Sequence, residues 1–193
     1  MASQLIFRTK QVVRQAGLPL VIINSARQQG NSFGERLQHA IQQVFEQGYE
    51  QVICLGNDAP GLTPATLRAA ADALQHKAFV FGEATDGGVY LLGLHRHTLP
   101  ALNFSAISWN TSLVFEELCQ QTSPTATAIL EPILADADNA AAILAFSSQR
   151  KLGRFADWLR TLLLATPSQF ILDTSYTLQA NAIHVGLRAP PFA

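Results

Sequence analysis

The stretches Val52-Ile-Cys-Leu-Gly-Asn-Asp-Ala-Pro-Gly-Leu-Thr-Pro64 and Phe79-Val-Phe-Gly-Glu-Ala-Thr-Asp-Gly-Gly-Val-Tyr-Leu-Leu-Gly-Leu94 decide the fold of this chain. Each opens with an apolar run typical of a buried strand and leads into a small, acidic loop. The first loop contains Asp58, and the second contains Glu83 and Asp86 ahead of two glycines. Ligands of open α/β sheets bind beyond the carboxyl ends of the strands, so both loops are candidates for a functional site.

The segments around these stretches alternate between strand-like runs and helical periodicity. Thr63-Pro64 is a typical helix start, with a hydroxyl cap and proline at the first helical position. The expected helices cover residues 1–15, 34–47, 63–75 and 136–146, and a segment from Asn110 or Thr111 to Cys119. The expected strands cover residues 20–23 (buried on both faces), 52–55, 78–81, 89–94, 128–130, 170–172 and 182–187. This order predicts a Rossmann-like three-layer α/β/α sandwich with a mostly parallel mixed sheet.

Length and composition favour one globular domain over residues 1–193. The hydrophobic share is 48%, the charged share 14% and the net charge −1. No basic patch indicates a nucleic-acid partner, and no charge pattern indicates a membrane partner. No apolar run has the length of a membrane span and no signal peptide is evident, so we expect a cytoplasmic protein. Cys54 and Cys119 form neither a disulfide framework nor a zinc motif.

The local sequence makes two sets of aspartates candidate metal ligands. Asp58, at a strand end, could hold a divalent cation that bridges phosphate oxygens, or it could organise its own turn before Pro60. Asp136 and Asp138 could complete such a site, or Asp138 could simply cap the helix that follows. The local sequence leaves both alternatives open.

The Glu83–Gly88 segment has two readings as well. Its carboxylates could orient acceptor hydroxyls or act as a base, and Gly87 and Gly88 would allow close approach of a ligand. Alternatively, Asp-Gly is a strong signal for a hairpin turn. Arg36, near the Gln28–Gly30 loop, could meet phosphates or be solvated. Trp109 could line a pocket or plug the core beside a helix start.

Four motifs in order resemble one known family. They are Gln29-Gly30-x-x-Phe33-Gly34-Glu35-Arg36-Leu37, Gly56-Asn57-Asp58-Ala59-Pro60-x-Leu62-Thr63, Gly82-x-Ala84-x-Asp86-Gly87-Gly88-x-Tyr90-Leu91-Leu92-Gly93-Leu94 and Trp109-x-Thr111-Ser112. They are similar to motifs of the radical-SAM/selenodomain-associated transferases, within the glycosyltransferase-A-like nucleotide-diphospho-sugar transferase superfamily. The similarity covers about residues 18–145 and leaves a C-terminal extension of about residues 147–193.

The resemblance implies roles for the acidic loops. Asp58 takes the position of the superfamily's metal-binding aspartate, Asp136 and Asp138 match a late Asp-x-Asp before a helix, and the Asp86 turn lies on the acceptor side. A Mg or Mn ion is the implied cofactor, and a nucleotide-linked donor and an unidentified acceptor are the implied partners. The predicted site residues are Asp86 and Glu83 for catalysis, Gly30, Arg36, Asn57, Gly87, Gly88 and Trp109 for substrate binding, and Asp58, Asp136 and Asp138 for the metal.

The chain also departs from the family pattern. Family members open with a strand and a basic pyrophosphate loop, whereas Met1 here begins in the helix that follows that strand. Gly61 stands where an acidic residue is common. The tail segment 182–191 is similar to the family's opening strand, so we expect it to fill the vacant position in the sheet. An exposed sheet edge would favour a covering tail or a homodimer.

These observations predict a metal-assisted transferase that uses a nucleotide-diphosphate-linked donor for glycosyl or nucleotidyl transfer. The alternative is a non-catalytic relative that has lost donor binding and serves as a binding or assembly module. An unrelated Rossmann-like hydrolase is disfavoured, because the sequence has no nucleophile elbow or triad signature.

Overall fold

A computed structural model of the chain describes residues 2–56, 59–134 and 183–187. The predicted elements at 136–146 and 170–172 lie outside these residues. The helices are α1 (Ala2–Ala16), α2 (Phe33–Glu46), α3 (Pro64–Ala73) and α4 (Val114–Gln120), with short 3-10 helices at Ser25–Arg27, Arg96–Ala101 and Phe104–Ala106. The strands are β1 (Leu20–Ile22), β2 (Gln51–Leu55), β3 (Phe79–Ala84), β4 (Val89–His95), β5 (Thr127–Leu134) and β6 (Ile183–Leu187).

The strands form one six-stranded mixed sheet in the order β1-β6-β2-β4-β3-β5. Strands β1, β2, β3 and β5 share one direction, whereas β4 and β6 run opposite to their neighbours. Four of the six strands share one direction, and the sheet is mixed, as predicted. Since β4 and β6 lie between parallel strands, β3 and β5 are the one directly paired parallel couple in the described sheet.

The C-terminal strand β6 lies between β1 and β2. Val185 is paired with Leu20 on one side and with Ile53 on the other. The expectation that the tail segment joins the sheet is therefore confirmed. The strand is antiparallel to both neighbours, so Ile183 lies level with the carboxyl ends of β1 and β2.

Helices cover both faces of the sheet, which confirms the three-layer architecture. On one face, α1 and α3 pack through apolar side chains such as Val13 and Leu67 against β2 and β4. On the other face, α2 and α4 pack through residues such as Ile41 and Leu118 against β2, β3 and β4. None of the helices in the described part of the chain is long and apolar enough to cross a bilayer.

Two strands differ from the sequence expectation. Strand β1 was expected to be buried on both faces, but it is the edge strand of the sheet and Ile22 is 38% exposed. Strand β3 was expected to end at Phe81, but pairing with both β4 and β5 extends it to Ala84. Glu83 consequently lies in a strand rather than in the loop.

Tyr90 is a bulged residue that joins three strands. Strand β4 pairs Leu91 with Gly82 and Val89 with Glu83, so Tyr90 is the extra residue between them. Its buried ring covers Gly82, and its hydroxyl donates a 3.4 Å hydrogen bond to the Pro132 carbonyl of β5. Burial, and to a smaller extent the charge of Glu131, raises the pKa of Tyr90 to about 12.

We predict that Gly82→Ala destabilises the fold through this contact. A Cβ at residue 82 would lie 2.7 and 2.8 Å from the two Cε atoms of Tyr90, closer than such atoms pack. Overpacking of this kind costs about 1–3 kcal/mol. Urea denaturation measures the loss in the free energy of unfolding. In a Tyr90→Leu background the cost of Gly82→Ala should shrink, because the ring is gone; an unchanged cost would contradict the assignment.

Candidate functional site

The codirectional strands end at one edge of the sheet. Leu91 of β4 is paired with Leu55 of β2 on one side and with Gly82 of β3 on the other. With adjacent strands about 4.8 Å apart, Leu55 and Gly82 are level and about 10 Å apart. The loops that follow β2 and β3 therefore leave the same edge of the sheet with one strand between them, and β3 extends two residues further, to Ala84, before its loop begins.

The loop after β2 is fixed at both ends. The Gly56 N–H donates a 3.0 Å hydrogen bond to the Tyr90 carbonyl, and the Leu62 N–H donates a 3.1 Å bond to the Ala59 carbonyl. Ala59 and Leu62 are buried. Asn57 and Asp58, between these anchors in the chain, lie outside the described residues, so their predicted roles stay predictions.

An arginine of α1 provides a further anchor for this loop. Arg8 Nη2 donates a 3.1 Å hydrogen bond to the Leu62 carbonyl, and burial lowers the pKa of its guanidinium. A second arginine, Arg68 on the surface of α3, makes a similar 3.1 Å bond to the Gln15 carbonyl at the far end of α1. Sequence reasoning missed Arg8, since its partner is 54 positions away and no local pattern marks it.

The Asp86 turn contains both features that its sequence suggested. Asp86 Oδ1 accepts a 2.9 Å hydrogen bond from the Gly88 N–H, and Gly87 has a positive φ of 84°. The Ala84 N–H and the Gly88 carbonyl close the β3–β4 hairpin at 3.0 Å. The bond from the Gly88 N–H orients the exposed Asp86 carboxylate. It leaves the Oδ2 atom, for which no bond is observed among the described residues, available to a ligand.

Glu83 lies apart from this turn. It is half-buried in β3, at the register shift between β3 and β4. Its carboxylate is close enough to α4 that its charge, after burial itself, raises the pKa of the Cys119 thiol. Of the two predicted catalytic carboxylates, Asp86 is the exposed one at the carboxyl edge of the sheet.

The Asp86 turn is docked on the start of α4. The Phe115 N–H donates a 3.0 Å hydrogen bond to the Gly87 carbonyl, and a Cβ at Gly87 would lie 2.8 Å from the Ser112 carbonyl carbon. The helix expected to start at Asn110 or Thr111 begins later: α4 starts at Val114, and no side chain caps it. The Gly87 carbonyl, which is distant in the sequence, instead accepts a hydrogen bond from one of the N–H groups that a helix leaves unpaired at its start.

The loop that precedes α2 is held by hydrogen bonds to the first turn of that helix. Ser32 Oγ accepts a 3.2 Å hydrogen bond from the Glu35 N–H, and Glu35 Oε2 accepts a 2.7 Å bond from the Asn31 N–H. Gly30 has a φ of 133°, and a Cβ there would lie 2.6 Å from the Cβ of Glu35. Arg36 follows, half-buried, in the first turn of α2. The predicted binding role of Gly30 and Arg36 stays a prediction.

Trp109 packs between aromatic rings near the start of α2. Its indole N–H donates a 2.7 Å hydrogen bond to the Phe104 carbonyl, and its ring stacks on Phe104 at 6.3 Å and lies 5.0 Å from Phe33. Gly34 gives the indole room, since a Cβ there would lie 2.7 Å from Nε1. These contacts agree with the interpretation of Trp109 as a packing residue, and its predicted role in substrate binding stays a prediction.

The metal ligands expected from sequence all lie outside the described residues: Asp58, Asp136 and Asp138. Leu134, two positions before Asp136, ends β5 at the same edge of the sheet, level with the Asp86 hairpin through its pairing with Ala84. Within the described ranges, no three His, Cys, Asp or Glu side chains form a group that could hold a metal ion. The metal-binding role of the three aspartates stays a prediction.

The fold, together with the loops at the carboxyl edge of the sheet, defines the class of protein. The chain has the nucleotide-diphospho-sugar transferase fold. It is similar to the crystal structure of a "putative nucleotide-diphospho-sugar transferase" from Desulfovibrio desulfuricans G20, with a TM-score of 0.59 and 27% sequence identity. The match covers 72% of this chain and 62% of that chain.

The sequence also shows the family. The chain belongs to the family described as "Uncharacterized protein conserved in bacteria (DUF2064)", which matches residues 9–111, just over half of the chain. The match includes β1 to β4 and the loops that follow them. A search of the curated proteins found no match.

We predict that Arg8→Ala lowers the free energy of unfolding by about 1–3 kcal/mol, because it leaves a buried carbonyl without its donor. Arg68→Ala is the matched control: it removes a similar arginine-to-carbonyl bond of α1 at an exposed position and should cost about 0.5 kcal/mol or less. Urea denaturation of both variants measures the difference. Equal costs would show that the Arg8 bond is no stronger an anchor than a surface contact.

Proposed function

We propose that this chain transfers a glycosyl or nucleotidyl group from a nucleotide-diphosphate-linked donor to a small acceptor, with a divalent cation at Asp58. The observation that carries the proposal is the register at Leu91, which sets Leu55, the end of β2, level with Gly82 of β3 and about 10 Å from it. Strand β3 ends two residues further on, at Ala84, on the same edge of the sheet. A donor bound by its diphosphate beyond β2 then has its transferred group near the Asp86 turn beyond β3.

The chemistry divides between the two loops. The cation, Mg or Mn, supplies charge neutralisation for the diphosphate that leaves. Asp58 is its proposed ligand, and Asp136 and Asp138, which follow the end of β5, are proposed to assist. Asp86 accepts a hydrogen bond from the acceptor hydroxyl through Oδ2 and takes its proton as the new bond to the acceptor oxygen forms.

The remaining predicted site residues belong to the same proposal. Gly30, Arg36, Asn57 and Trp109 are proposed to contact the substrates, Gly87 and Gly88 to let the acceptor approach the backbone, and Glu83, with Asp86, to position the acceptor. Membership of the radical-SAM/selenodomain-associated transferases belongs to this proposal and rests on the four motifs. The cytoplasmic location, the homodimer and the lack of nucleic-acid and membrane partners stay predictions of the same kind.

Calorimetric titration of nucleoside diphosphates and nucleotide sugars, with and without Mn, tests the donor site. We expect Mn-dependent binding of one nucleotide class. Asp58→Ala should weaken it by more than the 10–100-fold loss that is typical of outer-shell partners of a metal. Asp72→Ala, which removes an exposed carboxylate of α3, is the matched control for net charge and should bind like the wild type.

The outcomes separate the two functions that the sequence left open. Mn-dependent binding that Asp58→Ala loses and Asp72→Ala keeps supports the transferase and identifies its base. A folded protein that binds no nucleotide at millimolar concentration overturns the transferase and favours the non-catalytic binding module.

Asp86→Asn tests the acceptor side. The asparagine carbonyl can still accept the bond from Gly88 N–H, so the turn keeps its shape while the base is lost. We expect nucleotide affinity to stay unchanged and the rate of transfer to fall by about 10²–10⁴-fold. Turnover of the donor identified by calorimetry measures this, and a wild-type rate would exclude Asp86 as the base.

A further inference from the structure

Glu117 of α4 makes a pair of hydrogen bonds that no motif of the sequence suggests. Its Oε2 atom accepts a 2.6 Å bond from the Ser108 N–H, and its Oε1 atom accepts a 2.8 Å bond from the Ser108 hydroxyl. Both carboxylate oxygens therefore hold one residue of the loop that precedes α4. Bonds of this type, with an ionised acceptor, are about twice as strong as neutral ones.

The bonds continue from Ser108 along the loop. The Thr111 hydroxyl donates a 2.7 Å bond to the Ser108 carbonyl, and the Leu113 N–H donates a 3.2 Å bond to Thr111 Oγ1. Between them Asn110 has a positive φ of 66°, which is uncommon for a residue other than glycine. Glu117 thus fixes the path of the chain from residue 108 to the start of α4.

This path sets the position of the Asp86 turn. Ser112, inside the fixed segment, is in closest contact with Gly87, and Phe115 donates its N–H to the Gly87 carbonyl. Gly88, the next residue, donates to Asp86 Oδ1. A continuous series of contacts therefore links the Glu117 carboxylate to the Asp86 carboxylate, and each contact in it involves a backbone group.

We propose that Glu117 is a positioning residue for Asp86: it holds loop 108–113 in the shape on which the Asp86-Gly87-Gly88 turn is docked. This inference rests on the proposed function for its catalytic consequence. The coupling between Glu117 and the Asp86 turn is a property of the fold and does not depend on the proposed function.

Glu116 offers a matched control. It is the preceding residue in the first turn of α4, so both glutamates interact alike with the helix dipole. Its Oε1 atom accepts a 3.1 Å bond from Gln120 Nε2 on the same helix, and no contact with loop 108–113 is observed for it within the described residues. Glu116→Ala therefore controls for the loss of charge and for helix propensity.

The first arm of the experiment measures backbone amide exchange by NMR in the full chain. In Glu117→Ala, the amides of Gly88 and Phe115 should exchange about tenfold faster or more, since strong bonds that hold the loop are lost. In Glu116→Ala their exchange should match the wild type. Unchanged exchange in Glu117→Ala, or equal acceleration in both variants, overturns the coupling whatever the function of the protein.

The second arm measures transfer with the donor found by calorimetry. Glu117→Ala should lower the transfer rate about tenfold and leave nucleotide affinity unchanged, and it should have no further effect in an Asp86→Asn background. Independent, multiplying losses in the double variant overturn a role through Asp86, as does a loss of nucleotide affinity. If no donor is found, the proposed function fails, while the exchange arm still decides the coupling.

Discussion

The antiparallel strand β4 is the element on which the geometry of the candidate site depends. It is hydrogen-bonded to β2 along one side and to β3 along the other, and its residue Leu91 is in register with the last residue of β2. Had β2 and β3 been direct neighbours, Leu55 and Gly82 would lie about 5 Å apart. The inserted strand doubles this distance without loosening the sheet.

At three positions a glycine lets a neighbouring segment approach more closely than any other residue would allow. Gly82 admits the ring of Tyr90, Gly34 admits the indole of Trp109, and Gly87 admits the backbone of Ser112. In each case the neighbour lies where a Cβ would be, so any larger residue must displace a ring or a main chain. Two of the three neighbours belong to the segment 104–115, which is consequently fixed against α2 and against the Asp86 turn at once.

The sequence was sufficient for features that depend on local chemistry. The Thr63 cap with Pro64, the capping pair of Ser32 and Glu35, and the apolar stripes of α2 and α3 all have local causes and were predictable to within a few residues. The failures are long-range. Strand β3 extends past Phe81 because β4 and β5 pair with it, and α4 starts late because its N–H partner is Gly87, 28 positions earlier in the chain. No local pattern contains such partners.

The Asp86-Gly87-Gly88 segment can form a turn and offer a functional carboxylate at the same time. Its sequence offered a hairpin turn or a functional carboxylate as alternatives, but a carboxylate has two oxygens and can serve both. One oxygen of Asp86 holds the Gly88 N–H, which fixes the side-chain torsions in advance. A general base that is already oriented loses little entropy when an acceptor binds, and the position of its other oxygen is set by the turn. The turn geometry therefore supports the proposed role of Asp86 as a base, because the bond that makes Asp86 a turn residue also orients its carboxylate in advance.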